Sequence, residues 1–300
     1  MHSNTRLIAA RVGELEARDD AAKASRFRYP GVAESDAPFA QLTSSLCRQQ
    51  DFSSAAYHAW CERFGQRRKW HRKQWEYFFI LQSLYERGKL QPEQHGLGFG
   101  VGKEPLVSVM AALGASALAT DMSVAVAKAQ GWVSSNQFAS ALADLNGRGF
   151  CPEDDFARLV TYREVDMNAI PGDIGEFDFI WSSCAFEHLG TLRHGIDFVL
   201  NSSKHLKPGG VGVHTTEYNL SSDDVTIESG HTSLYRKRDL EQLAEELGRQ
   251  GCRLVPMNFE TGDGVLDHWV DVPPFRDNVH LRRQLEEFSV TSVGLIVEKL

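Results

Sequence analysis

The stretch Gly96-Leu-Gly-Phe-Gly-Val-Gly102 is the strongest indication of the fold in this sequence. Its glycines at alternate positions follow apolar residues, as at the end of a strand that turns tightly into a helix. Glycine lets the backbone approach a ligand closely at such a turn. Pro105 suits the first turn of the next helix, where a missing N–H costs nothing, and the run 106–113 is apolar enough to pack on a sheet. We therefore predict a strand, a glycine turn and a helix.

A second short apolar strand, 117–120, ends at Asp121, which lies 23 residues after Gly98. At this spacing a carboxylate can accept hydrogen bonds from the hydroxyls of a ribose. The dinucleotide fingerprint GxGxxG would need a glycine where this chain has Lys103. The unit predicts a site for a nucleoside-containing cofactor, and a strand–loop–helix corner without a ligand is the alternative.

The composition argues against several classes of protein. The chain has 300 residues, of which 42% are hydrophobic, and a formal net charge of −8, which argues against broad nucleic-acid binding. Its five cysteines form no CxxC, so we expect no disulfide framework and no thiolate zinc site, and we place the protein in a reducing cytoplasm. No apolar run approaches the roughly 18 residues of a membrane span, and the N-terminus lacks a signal-peptide pattern.

The pattern of apolar residues divides the chain near residue 93. Within residues 1–93, the segment 52–87 carries aromatic residues at three- or four-residue steps, which predicts amphipathic helices and so a helical N-terminal cap. In residues 94–300, short apolar strands alternate with helices, which predicts a parallel sheet covered on both faces. We expect a helix over 237–250, one helix and a loop between 130 and 159, and seven strands over 95–97, 117–120, 160–165, 177–181, 211–215, 252–259 and 290–297, the last of them antiparallel.

These elements together resemble the class I S-adenosylmethionine-dependent methyltransferases over residues 94–300. The glycines Gly98, Gly100 and Gly102 match the family's turn, whose amides approach the methionine part of the cofactor, and Asp121 matches the acid that binds the ribose. The resemblance implies an α/β fold, a Rossmann-like seven-stranded methyltransferase sheet with the helical cap, and S-adenosylmethionine as cofactor.

Two further motifs carry this resemblance. Asp166-Met167 matches the pair in which a carboxylate takes the adenine amino group and an apolar side chain covers the ring, and Leu206-Lys-Pro-Gly-Gly210 matches the turn before the fifth strand. Beside these motifs, Met122 and Ser183 are also assigned to the cofactor site.

One position departs from the family pattern. The family usually has an acid two positions before the first glycine, where it holds the cofactor's ammonium group, and this chain has Gly96 there. A carbonyl of the turn or Glu104 would have to replace that acid.

The run Ser182-Ser-Cys-Ala-Phe-Glu-His-Leu189 follows the fourth predicted strand. In a doubly wound sheet the first and fourth strands flank the ligand crevice, so we expect Glu187 and His188 where a substrate meets the methyl group. Methyl transfer to oxygen requires removal of a hydroxyl proton, which suits a histidine as general base. We predict His188 as this base and Glu187 as a group that orients it or binds a metal; capping of a helix start is the alternative.

A longer motif, ExxEH, binds a divalent cation in two related groups, the ubiquinone-pathway O-methyltransferases and the small-RNA 2′-O-methyltransferases. This chain has Cys184 in place of the first acid. If a metal is present, the predicted ligands are Glu187, His188 and His231, and metal dependence stays open.

The run Arg67-Arg-Lys-Trp-His-Arg-Lys-Gln-Trp-Glu-Tyr77 is basic within an acidic chain. One interpretation is a solvated helix face. The other places the helix over the cofactor cavity, where Arg72 or Lys73 meets an anionic substrate or the cofactor carboxylate and Trp75 shields the site from water.

The runs His71-Arg-Lys-Gln-Trp-Glu76 and Val290-Thr-Ser-Val-Gly-Leu-Ile-Val297 resemble methyltransferases that accompany bacterial surface-polysaccharide synthesis. The resemblance implies S-adenosylmethionine-dependent methylation of an oxygen on a hydroxyl-rich small molecule or glycan. The alternatives are a metal-dependent 2′-O-methyltransferase acting on RNA, a nicotinamide-dependent oxidoreductase and a non-catalytic S-adenosylmethionine-binding protein. The acidic charge argues against a nucleic-acid partner, and the oligomeric state stays open.

Overall fold

A mixed sheet of eleven strands forms the centre of the protein. The computed structural model describes residues 39–124, 142–275 and 279–300. The described helices are α1 (Ala55–Arg63), α2 (Arg72–Glu86), α3 (Leu106–Ala112), α4 (Glu153–Leu159), α5 (Leu192–Ser203) and α6 (Lys237–Arg249). The described strands are β1 (Ser44–Leu46), β2 (Trp70–His71), β3 (His95–Phe99), β4 (Ser116–Asp121), β5 (Val160–Glu164), β6 (Phe177–Ser183), β7 (Leu206–Asn219), β8 (Cys252–Leu254), β9 (Met257–Asn258), β10 (Val270–Asp271), β11 (Val279–His280), β12 (Arg282–Leu285) and β13 (Phe288–Lys299).

The order of the parallel strands positions the site. Five parallel strands lie side by side in the order β5, β4, β3, β6 and β7. Along the chain, β4 and β5 are added on one side of β3, and β6 and β7 are then added on its other side. Ligands of such sheets bind at the carboxyl ends of the strands where this order reverses. The predicted α/β fold with a central parallel sheet is confirmed.

The end of the chain closes the sheet. Strand β13 pairs antiparallel with β7 from Val290 opposite Asn219 to Glu298 opposite Val211, which confirms the predicted antiparallel strand. The prediction of one strand over 252–259 is wrong. The chain forms β8, which pairs with β13, and β9, which pairs with β1, because Pro256 between them has no N–H to donate to a strand ladder.

Two sequence predictions extend beyond the described residues. Of the N-terminal cap, residues 1–38 lie outside them, and the rest contributes α1, α2 and β1, which pairs with β13. Of the predicted helix and loop between 130 and 159, residues up to 141 lie outside them, and α4 follows. The division at residue 93 stays a prediction. Among the described helices, none is both long and apolar enough to cross a membrane.

Aromatic rings fill the space over glycines on one face of the sheet. A Cβ at Gly96 would lie 2.2 Å from the ring of Phe179, and a Cβ at Gly98 would lie 2.3 Å from the ring of Trp181. Both rings belong to β6, the neighbour of β3, and both join the buried apolar cluster that includes α2. Strand β3 therefore needs glycine at both positions because a neighbouring ring occupies the place of the side chain.

We expect Gly98→Ala to lower the free energy of unfolding by about 1–3 kcal/mol, because the added methyl overpacks the core against Trp181. Urea denaturation measures the change. Gly248→Ala is the matched control: Gly248 lies in α6 with open space around it, and alanine in a helix should raise the free energy of unfolding by about 0.5–1 kcal/mol. Equal stability of Gly98→Ala and the unsubstituted protein would contradict the packing role.

Candidate active site

A cavity of about 890 Å³ opens at the carboxyl ends of β3 and β6. Nine of the residues assigned from the sequence to cofactor, catalytic or metal roles line it. These are Gly100, Gly102, Asp121, Met122, Asp166, Met167, Ser183, His188 and His231. Two others, Gly98 and Glu187, do not line it. The strand order thus brings together motifs that are more than 100 residues apart in the chain.

The glycine turn and Asp121 form one wall of the cavity. Gly100 and Gly102 have φ values of +57° and +49°, in the left-handed region that favours glycine. The Gly102 amide donates a 2.9 Å hydrogen bond to Oδ2 of Asp121, and the Met122 amide donates a 2.8 Å bond to Oδ1. Burial raises the pKa of the Asp121 carboxyl. Each oxygen keeps a second lone pair that a ligand hydroxyl can use.

Asp166 and Met167 form the wall beyond β5. The Asp166 carboxylate accepts a 2.8 Å hydrogen bond from the Asn168 amide, which fixes its direction just after Val165. The Met167 sulfur lies 3.4 Å from the place of a Cβ at Gly100. A side chain at position 100 would therefore fill the gap between the glycine turn and Met167.

His188 ends a short 3-10 helix, Phe186–His188, directly after β6. Its Nδ1 lies 2.7 Å from the carbonyl oxygen of His231. Because a carbonyl can only accept, we assign the proton to Nδ1, and Nε2 is then the acceptor nitrogen of the neutral ring. The ring lines the cavity. His188 thus has the tautomer that a general base requires.

Glu187 points into the protein interior. Its side chain is buried, Oε2 accepts a 3.0 Å hydrogen bond from Thr216, and burial raises the pKa of its carboxyl. The groups that contact the His188 ring at Nδ1 are the His231 carbonyl and, at 3.3 Å, Oγ1 of Thr232. Nothing in the described parts of the chain forms a cluster of three or more His, Cys, Asp or Glu side chains that could hold a metal ion. Of the three predicted metal ligands, His188 and His231 line the cavity and Glu187 does not, and metal dependence stays a prediction.

Helix α2 contributes one charged side chain, Lys73, to the cavity wall. His71 precedes the helix and its Nδ1 accepts a 3.0 Å hydrogen bond from the Lys73 amide, which caps the first turn. The Lys73 ammonium lies 2.7 Å from Glu104, 3.3 Å from Glu76 and 3.1 Å from Oγ of Ser183. Lys73 and Glu104 both line the cavity.

Arg72 lies in the core instead of at the cavity. Its guanidinium lies 2.6 Å from Glu217 on β7 and 3.2 Å from Glu76, and Arg283 on β12 lies 2.9 Å from Glu217. Trp75 is fully buried and donates a 2.8 Å hydrogen bond to Asp51, so it packs in the core. Of the basic run 67–77, Lys73 therefore reaches the cavity, while Arg72 ties α2 to the sheet.

Sequence reasoning missed several cavity residues. Tyr77 lies four residues after Lys73 on α2, and this helical spacing could have placed it on the same face. Glu164 ends β5, and Ser123 and Lys103 follow β4 and the glycine turn. These three residues belong to no recognisable motif. The signal that could have placed them at the cavity is that each lies at or just after the end of a strand or the glycine turn.

No known family model and no curated protein matches the chain. Among similar solved structures, a provisionally named sarcosine dimethylglycine methyltransferase from Galdieria sulphuraria has 16% identity and a TM-score of 0.47, over 76% of this chain and 84% of that chain. An S-adenosylmethionine-dependent methyltransferase from Mesorhizobium loti has 12% identity and a TM-score of 0.47, over 74% and 97%. A magnesium protoporphyrin IX methyltransferase from Synechocystis PCC 6803 has 10% identity and a TM-score of 0.45, over 83% and 96%. The function proposed below rests on the site residues and not on these similarities.

We expect Glu217→Gln to destabilise the protein by about 3 kcal/mol, because it removes the buried carboxylate that the partly buried Arg72 and Arg283 share. Urea denaturation measures the loss. Glu245→Gln is the control, since Glu245 pairs with Arg249 on the exposed face of α6, where an ion pair contributes at most about 1 kcal/mol. Equal stability of the two variants would show that the buried network is dispensable.

Proposed function

We propose that this protein is an S-adenosylmethionine-dependent methyltransferase that methylates a hydroxyl oxygen. The observation that carries the proposal is the shared cavity. It joins a glycine turn with an acid fixed for a ribose, Asp121, to a histidine whose acceptor nitrogen is Nε2, His188.

The charge of the cavity supports this cofactor over a nicotinamide dinucleotide. S-adenosylmethionine carries a sulfonium, an ammonium and a carboxylate, and so is a net cation, whereas a dinucleotide brings two negative charges on its pyrophosphate. Like charges repel at short range in a partly buried site. The carboxylates that line the cavity outnumber its two lysines, Lys73 and Lys103; they are Glu104, Asp121, Glu164 and Asp166.

The walls fit the parts of the cofactor. Asp121 would accept hydrogen bonds from the ribose hydroxyls, Asp166 would accept one from the adenine amino group, and Met167 would cover the adenine ring. The absence of a side chain at Gly100 keeps open the gap between the turn and Met167. Ser183, Met122 and Gly102 complete this end of the cavity.

His188 would act on the acceptor. When S-adenosylmethionine is bound, it supplies an electrophilic methyl group. The hydroxyl oxygen that accepts this methyl must lose a proton, and Nε2 of the neutral His188 ring takes it. The other proton remains on Nδ1, which donates it in a hydrogen bond to the His231 carbonyl, and this bond stabilises the imidazolium that results.

The acceptor is proposed to be a hydroxyl-rich small molecule or glycan. Its support is the resemblance to polysaccharide-associated methyltransferases, together with the polar side chains around the cavity, such as Ser123, Asn168 and His231. The test is to incubate the protein with S-adenosylmethionine and candidate sugars or glycans and to measure the release of S-adenosylhomocysteine. Binding of the cofactor without any turnover would favour the non-catalytic alternative.

We expect Asp121→Ala to weaken binding of S-adenosylhomocysteine by about 1.5–3 kcal/mol, the contribution of hydrogen bonds to a charged acceptor. Isothermal titration calorimetry measures the affinity. Asp173→Ala is the control, because Asp173 pairs with Arg163 on the surface outside the cavity. If Asp121→Ala binds as tightly as the unsubstituted protein, the assignment of Asp121 to the ribose is wrong.

We expect His188→Ala to leave the affinity for S-adenosylhomocysteine nearly unchanged and to lower turnover by about 10²–10⁴-fold, the usual contribution of positioned proton transfer. The half-buried His205, which lies outside the cavity and bonds the Gly175 carbonyl, provides the control variant His205→Ala. A chelator should not lower the activity. Loss of activity on chelation, matched by loss in His231→Ala, would instead support a metal, and near-normal turnover of His188→Ala would remove the base from the proposal.

A further inference from the structure

A cation and an anion stand side by side on the cavity wall. The Lys73 ammonium and the Glu104 carboxylate are 2.7 Å apart, and both line the cavity. The exposed fractions of their side chains are 36% and 14%, so each remains accessible from the cavity. Lys73 comes from the first turn of α2 and Glu104 from the loop before α3, so two separate elements bring these charges together.

Lys73 has further partners besides Glu104. Lys73 also lies 3.3 Å from Glu76, which is fully buried and is paired in turn with Arg72. Ser183 accepts a 3.1 Å hydrogen bond from the Lys73 ammonium. Lys73 therefore keeps a carboxylate partner if Glu104 turns to another cation, which avoids the cost of an unpaired buried charge.

Strand β3 cannot supply an acid to the same end of the cavity. The ring of Phe179 occupies the space of any side chain at position 96, where a Cβ would lie 2.2 Å from it. An ammonium group bound near the glycine turn must therefore find its carboxylate on another element. Of the four carboxylates that line the cavity, Glu104 is next to the turn and beside a lysine.

We propose that Lys73 and Glu104 together bind the zwitterionic amino-acid end of the cofactor, with Lys73 on its carboxylate and Glu104 on its ammonium. This inference rests on the proposed function. The internal ion pair opens and is replaced by two intermolecular ion pairs of the same kind, so each charge has a partner before and after binding.

The protonation of Glu104 adds a pH dependence. Burial raises the pKa of its carboxyl to about 6, so the carboxylate predominates above that pH and the neutral acid below it. The charged form is the one that attracts an ammonium group. Affinity for the amino-acid end should therefore fall as the pH drops through about 6.

The test compares two ligands that differ in this end. S-adenosylhomocysteine has the amino-acid group, and 5′-methylthioadenosine lacks it but keeps the adenosine. We expect Lys73→Met and Glu104→Gln each to lower the affinity for S-adenosylhomocysteine by about tenfold or more, and to lower the affinity for 5′-methylthioadenosine much less. Calorimetry measures both affinities. In the unsubstituted protein, the affinity for S-adenosylhomocysteine divided by that for 5′-methylthioadenosine should decrease as the pH is lowered through 6. In Glu104→Gln, this quotient should stay constant.

Lys207→Met is the matched control. Lys207 pairs with Asp178 at 2.9 Å, with side-chain exposures of 42% and 17%, at the far ends of β6 and β7, and its loss should change neither affinity. Retained 5′-methylthioadenosine binding shows that a variant is folded. Equal weakening of both ligands, or unchanged S-adenosylhomocysteine binding in both variants, would overturn the inference. Failure of the unsubstituted protein to bind either ligand would instead overturn the proposed function.

Discussion

The close packing of β3 against β6 is the constraint on which the site depends. The rings of Phe179 and Trp181 lie where side chains at positions 96 and 98 would be, so β3 carries glycine at both. Strand β3 therefore runs to its carboxyl end without a side chain on the face covered by these rings. The chain then turns at Gly100 and Gly102. The same packing excludes a side chain from position 96, so an acid that binds the ammonium group of the proposed cofactor must lie outside β3.

Helix α2 gives the cavity a fixed wall. Ten of its fifteen residues are buried, and Arg72 joins it to Glu217 on β7. Breaking such a buried pair leaves an uncompensated charge and is costly. A wall held in this way fixes the backbone at Lys73, so the proposed binding requires only the side chains of Lys73 and Glu104 to exchange partners. Helix α2 is therefore part of the core that supports the site.

The sequence predicts well what depends on spacing along the chain. Asp121 and His188 could be placed at the cavity because each directly follows or ends an apolar strand, and the carboxyl ends of parallel strands meet at one edge of the sheet. The direction of a single side chain depends on distant packing and is not predictable in this way. Glu187 adjoins His188 yet bonds Thr216 in the interior, and Arg72 adjoins Lys73 yet pairs with Glu217. Gly98 has the sequence pattern of a ligand turn, but the ring of Trp181 explains it.

A crystal structure with bound S-adenosylhomocysteine tests the account most directly. We expect the ribose hydroxyls on Asp121, the adenine between Asp166 and Met167, and the sulfur on the side of the cavity that faces His188. Binding of the ligand away from the ends of β3 and β6, or in this cavity with the ribose far from Asp121, would contradict it.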